Sequence, residues 1–559
     1  MIRIILTFFL IYITNSSCKE ADEPLLSSEN QILSFKFNSI DVQGLVDDES
    51  RFISATVSSK VDLSTLAPTI TVSDGAIIDP ASDVANDFRT DVFYKVTAQD
   101  GTIANYFIKV SQLNDDNSIT YFNLPDIFQK GKITNNIISF TLPFGTDLTS
   151  LKVEFNKPPK ATTNIASGTV IDLSSTKQLV VTSEYGSVNT YSIQIAFEPQ
   201  ETGIRGVWIT NVASDVLNTR LNIASAMKQL SDLNFNTVFL VAWNKTMTPH
   251  PSQVLKEALA PLDDPNIQTE FFPGRDVLQE VIEEAHLRGL KVIPWFEYGF
   301  ASQYGSTNGG RNKVLLAHPE WESRDQSGKV ANKNNFYWMN AFHPDVQKFM
   351  SDLIMEVVLK YDIDGIQGDD RLPAVTSSSG YDAYTVQRYQ NEHNGQSPPT
   401  GEQTQSWVQW RSNILNDFAK DLFVRVKNAK PNCLVTFSPS PYSFSLFNYC
   451  QDWPTWVDDQ VVEILSPQLY RYDNQGIDTY KYLLATNLAY ANNNTSIFYP
   501  GVLLRSGSYT PSEAYLVEVI RANRAKGVKG EVYFFYEGVG TRAKVFKALY
   551  PGKAIFPTF

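Results

Sequence analysis

Two hydrophobic periods divide the chain. From Ile32 to about Glu198 apolar and polar residues alternate, as in Tyr106, Ile108 and Val110 or Tyr191, Ile193 and Ile195, the period of half-buried strands. This stretch repeats itself at an offset of 85 residues: Phe37-Asn38 recur as Phe122-Asn123, Asp62-Leu63 as Asp147-Leu148, Val96-Thr97 as Val181-Thr182, Gly101 as Gly186 and Tyr106 as Tyr191. Asp100-Gly101 and Tyr185-Gly186 read as hairpin turns in which glycine supplies the positive φ. The pattern predicts two all-β, immunoglobulin-like sandwich repeats, with spacer as their role and glycan-binding module as the alternative.

From Gly203 onward short apolar runs alternate with amphipathic stretches. Strands are expected at Ile204–Thr210, Thr237–Trp243, Lys291–Glu297, Gly365–Asp369, Leu434–Pro439, Glu463–Tyr470, Ser496–Val502 and Gly530–Tyr536. Helices are expected at Asn222–Leu233, Arg275–Arg288, Asp345–Tyr361, Trp407–Lys427 and Ser512–Lys526. Eight such units in about 350 residues predict an α/β TIM (β/α)8 barrel with enlarged loops. A doubly wound sheet would want fewer units and a glycine-rich nucleotide turn, which the sequence lacks. The expected order is a signal peptide over 1–18, a polar acidic tether over 19–31, β-sandwich repeats over 32–113 and 114–198, and the barrel over 199–559.

At the start of the chain, Arg3 precedes an apolar run from Ile4 to Ile13, too short for a membrane helix and typical of a secretory signal. Asn15-Ser16-Ser17-Cys18 resembles a bacterial lipoprotein signal, with Cys18 the lipidated residue and Asn15 standing where leucine is usual. Lys19-Glu20-Ala21-Asp22-Glu23 resembles the acidic tag of surface-exposed lipoproteins of the Bacteroidota. The expectation is secretion across the inner membrane and attachment to the outer membrane, surface-exposed or periplasmic, through the lipid anchor only. Ordinary secretion with cleavage nearby is the alternative. With Cys18 removed, Cys433 and Cys450 either pair in an oxidising compartment or stay buried thiols.

Composition narrows the partners. A net charge of −13 and a pI near 5.0 argue against nucleic acid, which needs basic faces. The 12% aromatic content suits sugar or peptide clefts as well as core packing. The five histidines show no metal-ligand spacing, and no Gly-x-Ser-x-Gly or Walker-type loop appears, so neither a metal nor an organic cofactor is expected. The sequence carries no signal of oligomeric state.

The chemistry concentrates in Asp364-Gly365-Ile366-Gln367-Gly368-Asp369-Asp370-Arg371, a short strand that follows a helix and ends in two carboxylates and an arginine. In a barrel that is where catalytic groups are delivered; a solvated loop with a local ion pair is the plain alternative. The other strand ends would add Arg205 and Trp208, then Trp243-Asn244-Lys245, then Trp295-Phe296-Glu297-Tyr298, then Ser438 and Ser440, then Gln468, Tyr470 and Arg471, then Arg505, and finally Tyr536 and Glu537. Rings that stack on sugars, beside amides and carboxylates that bind hydroxyls, suit a carbohydrate. Cleaving a glycosidic bond needs one carboxylic acid to protonate the leaving oxygen and a second carboxylate to attack or activate water. Adjacent side chains on a strand point apart, so the pair would combine Asp369 or Asp370 with Glu297 or Glu537.

These motifs resemble the glycosyl hydrolase-like 10 family of bacterial envelope proteins. Arg205-Gly206-Val207-Trp208, Asn234 to Val238, Val292 to Gly299, His318-Pro319-Glu320-Trp321, Trp338 to Pro344, Asp364 to Asp370, Gln451-Asp452-Trp453 with Trp456, and Ser466 to Arg471 are similar to its signatures in order, over the barrel only. The resemblance implies a glycoside hydrolase acting on a polysaccharide or peptidoglycan-type glycan, with Glu297, Asp369, Asp370 and Gln468 lining the site. Trp338, Asn340, His343 and Arg371 are expected to bind substrate. Gly368 and Arg371 depart from the family pattern, where aromatic residues or a histidine are usual. The rival reading is a non-catalytic surface lipoprotein that captures glycan.

Overall fold

The computed structural model describes residues 25–559. The expected signal peptide, the lipidation site Cys18 and the first part of the tether lie outside the described residues.

The N-terminal region forms two all-β units of one strand layout. In the first, Ile32–Phe37 is flanked by Val42–Gln43 and Thr69–Val72, facing a five-stranded sheet in which Phe52–Ser58 and Ile103–Leu113 run parallel. In the second, Phe122–Leu124 takes the central place, and Ile137–Leu142 runs parallel to Val188–Phe197. Each unit has its own core, with Phe37 and Tyr106 in one and Phe122 and Tyr191 in the other. The two tyrosines are buried for the same reason. The Tyr106 hydroxyl accepts from the Ile32 N–H and the Tyr191 hydroxyl from the Ile119 N–H, each at 3.1 Å, closing one unit's first strand against its last. Gly101 and Gly186 lie at the hairpin turns with φ of 88° and 104°.

The C-terminal region is a curled parallel sheet of TIM-barrel-like form. Its strands are β1 (Ile204–Ile209), β2 (Thr237–Val241), β3 (Lys291–Phe296), β4 (Gly365–Gly368), β5 (Leu434–Phe437), β6 (Ile464–Leu465), β7 (Gly501–Leu503) and β8 (Gly530–Phe534), in the order β6-β5-β4-β3-β2-β1-β8-β7. Every pairing is parallel, and nearly every strand residue is buried, because helices cover the outer face. Between β6 and β7 the seam is held by single bridges, Leu465 opposite Phe498 and Gln468 opposite Gly501. The sixth and seventh strands are therefore far shorter than the expected 463–470 and 496–502. Pro467 and Pro500 cannot donate to a ladder, and regular pairing stops beside them.

The helix Pro344–Lys360 shows why β4 is delivered where it is. Pro344 occupies its first turn, His343 caps it by accepting from the Asp345 N–H, and Val346, Phe349, Met350, Leu353 and Val357 pack inward. The chain then turns through Asp364, whose carboxylate ties down Lys291 and the Val292 N–H at the start of β3. Cys433 and Cys450 are both buried free thiols, and burial pushes Cys433 up to about 12.

Candidate active site

The carboxyl ends of β3 and β4 bring four charged side chains together, beside Ser438 at the end of β5. Asp369, the first residue after β4, is held by three donors: Gln468 Nε2 and Ser438 Oγ on Oδ1, at 2.7 and 3.2 Å, and Arg371 Nη2 on Oδ2 at 2.6 Å. Its backbone carbonyl accepts from Gln451 Nε2 at 3.1 Å. Arg371 continues to Asp370 Oδ1 through Nη1 (3.1 Å) and stands 3.8 Å from Glu297 Oε1, while its Nε donates to the Glu297 carbonyl at 2.9 Å. Glu297 Oε2 accepts from Asn244 Nδ2 at 2.6 Å. One guanidinium thus anchors three carboxylates, and the Phe336 ring lies 4.6 Å from it with Tyr298 behind.

Backbone packing makes this possible. Gly299 has φ 48°, and a Cβ there would meet the Arg371 carbonyl at 2.2 Å, so only glycine lets the β3 loop close on Arg371. Gly368, a departure from the family pattern, has the same logic: a Cβ would lie 2.4 Å from the Leu372 carbonyl and 2.7 Å from the Phe437 ring. An aromatic residue cannot occupy that position in this chain.

Exposure separates the acids. The Asp369 side chain is 1% exposed, against 16% for Asp370 and 17% for Glu297, so only the last two keep partial access to solvent. Burial pushes Glu297 above the usual carboxylate range, against the pull of Arg371 and Asn244. Burial and the adjacent Asp370 charge push Asp369 well up. Burial alone would weaken the Arg371 charge, but the three carboxylates more than offset that. The half-buried Tyr470 hydroxyl is also pushed up, by burial and then the Asp369 charge.

Of the residues expected at the site, Asp369, Asp370, Glu297, Arg371, Gln468, Tyr298 and Tyr470 share this neighbourhood. Others stand elsewhere. Arg205 is the second residue of β1 and therefore lies at the opposite end of the sheet, where it binds Glu201 and the Gly552 carbonyl. Trp208 and Trp295 are buried inside the sheet; Trp208 Nε1 donates to Gln367 Oε1 at 2.7 Å, and the two rings pack 6.2 Å apart. Trp243 is buried against Phe349 with its indole N–H on the Gly299 carbonyl, which leaves its neighbour Asn244 facing Glu297. Trp338 is buried beside Tyr449. Asn340 ties together Asp382 and Thr385, and His343 is a helix cap. Glu537 accepts from Ser214 Oγ at 2.7 Å, on a separate part of the rim. Arg371 itself is engaged by the carboxylates rather than free for substrate. Asn244 and Ser438 stand on the face expected of the strand ends and Gln451 within a family-like motif, but Phe336 was not expected at the site. Gln451 arrives on a loop and Phe336 on a short hairpin strand, Phe336–Trp338, too brief to give a periodic signal.

A curled parallel sheet with clustered carboxylates at its carboxyl end defines a glycoside-hydrolase-like barrel protein. The chain belongs to the glycosyl hydrolase-like 10 family, whose model matches residues 203–499. Residues 32–110 and 119–195 each match the SGBP N-terminal family. The chain is 23% identical over 338 residues to glycosyl hydrolase DigH of Escherichia coli K12, covering 52% of this chain and 70% of that protein. It is 25% identical over 221 residues to glycosyl hydrolase YngK of Bacillus subtilis, covering 35% of this chain and 39% of that one. Among solved structures, the PgaB (BpsB) glycoside hydrolase domain of Bordetella bronchiseptica aligns with a TM-score of 0.47 and 14% identity, covering 63% of this chain and 99% of that chain.

Proposed function

We propose that this protein hydrolyses glycosidic bonds of a polysaccharide or envelope glycan, with Glu297 as the proton donor and Asp370 as the second carboxylate. The observation that carries the reading is the unequal treatment of three acids around one arginine. Asp369 has both oxygens committed to donors and almost no exposed surface, so it positions Arg371 and Gln468 instead of meeting substrate. Glu297 is partly exposed, accepts from one neutral amide and is raised by burial, the state of a general acid. Asp370 is partly exposed and paired with Arg371 Nη1 at 3.1 Å. Glu297 would protonate the leaving oxygen, and Asp370 would attack the anomeric carbon or take a proton from the attacking water. Tyr470 would supply a ring beside the reacting sugar, while buried Tyr298 backs Arg371. This mechanism uses no metal or organic cofactor.

The family match and the two relatives named as glycosyl hydrolases support the reading. The two all-β units, read as immunoglobulin-like spacers between 32 and 198, would hold the barrel away from an envelope surface, in keeping with their SGBP N-terminal match. Attachment through lipidated Cys18 belongs to the same proposal; no described helix is long and apolar enough to cross a membrane. One observation favours a second reading, a protein that captures glycan without cleaving it: Arg371 neutralises much of the charge that catalysis would use.

Product release by mass spectrometry decides between them. A panel would hold peptide-free peptidoglycan strands and plant and host polysaccharides, with Asp370→Asn as the control. Product from wild type alone is the expected result. Binding without product from any glycan would contradict hydrolysis and favour capture.

A further inference from the structure

At the same end of the barrel, loops line an open cavity of about 630 Å³, bounded by Asp325, Asn332 and Lys333 on one side and Ser377, Thr400 and Glu402 on the other. Its wall carries a partly buried ammonium, Lys333, with no carboxylate in direct contact. The Lys333 ammonium donates to Asn448 Oδ1 at 2.6 Å, reaches Ser377 Oγ at 3.5 Å and lies 5.8 Å from the centre of the Tyr449 ring. Among the described residues no carboxylate lies within 4.0 Å of it. Arg411, behind the Ser377 segment, is wholly buried and meets only carbonyls there, with Nη1 donating to Ser377 O at 2.5 Å and Ser379 O at 2.9 Å. Of the cavity's acids, only Glu402 acts on Lys333, and it does so from beyond ion-pair contact. Asp325 accepts from the Ser327 and Lys329 N–H groups of its own turn, and Glu402 is exposed at the rim.

A poorly hydrated cation is unfavourable unless an anion faces it, and a cavity of this size accommodates a sugar. The cavity also adjoins the carboxylate cluster. Lys333 pairs directly across its hairpin with Phe336, whose ring lies 4.6 Å from the Arg371 guanidinium. On the other side Tyr449 packs beneath Lys333 and is acted on by the Asp370 charge. A chain crossing the carboxylates therefore places a neighbouring sugar beside Lys333.

We propose that this cavity is a subsite for an acidic sugar, in which Lys333 pairs a carboxylate or sulfate on a residue adjoining the one at the carboxylate cluster. The inference rests on the glycosidase reading for its register. Its chemistry is an oxyanion of either kind.

Calorimetric binding to the full chain carrying Glu297→Gln, so that ligand stays intact, tests it. The probes are oligouronates, peptide-free peptidoglycan strands and sulfated oligosaccharides, each matched with a carboxyl-reduced or desulfated counterpart. At least one acidic probe is expected to bind about tenfold more tightly than its neutralised partner, with the difference shrinking as ionic strength rises. Adding Lys333→Met should remove that preference and Lys333→Arg should keep most of it; a thermal melt confirms that each variant is folded. Which pair shows the preference tells carboxylate from sulfate. Equal affinity within every pair, a preference that survives Lys333→Met, or no binding of any acidic probe overturns the subsite. Product release from the same probes by wild type keeps the two readings apart. Charge-dependent binding without product sinks hydrolysis and leaves the subsite, whereas product without charge preference sinks the subsite alone.

Discussion

Aspartates in the all-β units and aspartates in the barrel have opposite fates. Asp62, Asp147 and Asp172 each accept from a backbone N–H and a hydroxyl two residues on, those of Ser64, Thr149 and Ser174. They sit in water, and those local bonds hold them below the usual range. Asp369 meets residues from β4, β5 and the segment after β6, is buried, and is pushed well above it. The difference teaches where to look for chemistry. A carboxylate whose partners are its own sequence neighbours is shaping a turn. One that also takes partners from two distant segments, here Ser438 and Gln468, at a burial cost the fold must offset, is held for a purpose.

The sharpest way to break this contrast is to remove single carboxylates. Glu297→Gln or Asp370→Asn should lower kcat by about 10²–10⁴-fold with circular dichroism unchanged, whereas Asp62→Asn and Asp147→Asn should leave turnover as it was. Equal effects in the two regions would end the distinction. Next in size, Arg371→Met should cost about 3–5 kcal/mol in denaturant unfolding, because three carboxylates lose their buried cation. Arg89, bound only to Asp87 at the surface, should show no comparable loss.

A finer test is the pH profile. The Asn244 amide favours charged Glu297, so Asn244→Ala should raise the Glu297 pKa further and move the alkaline limb of kcat/KM to higher pH. A limb that moves down, or stays, contradicts Glu297 as the acid. The smallest effect concerns stability. The folded Glu297 pKa lies above the unfolded value, so its ionisation penalises folding as pH rises through the window above about 4.3 and not below it. Glu297→Gln should therefore stabilise the protein at neutral pH by about 0.5–2 kcal/mol, with the gain fading in acid.

Much of this molecule was legible because its signals are periodic. The 85-residue repeat and the alternation of strand and helix announced both regions, and Asp369-Asp370-Arg371 marked the right strand end. What escaped was direction and partnership. Arg205 looked like a face residue because β1 opens on it, yet the second residue of a parallel strand is at the far end from the chemistry. Trp243 and Asn244 are neighbours, and only packing decides that the indole turns into the core while the amide meets Glu297. Arg371 read as a substrate ligand because nothing in a linear pattern shows three acids converging on it. Gly368 looked like a lost aromatic, and close backbone approach explains it.

The central claim is the division of labour between Glu297 and Asp370, and leaving-group dependence tests it most directly. A good leaving group needs no proton, so its cleavage does not depend on the general acid. Turnover of paired glycosides with activated and unactivated leaving groups would be measured for wild type and both variants, using a sugar identified by product release. Glu297→Gln is expected to lose about 10²–10⁴-fold on the unactivated glycoside and far less on the activated one, while Asp370→Asn loses heavily on both. The same loss on both glycosides for Glu297→Gln, or full activity of either variant, would contradict it.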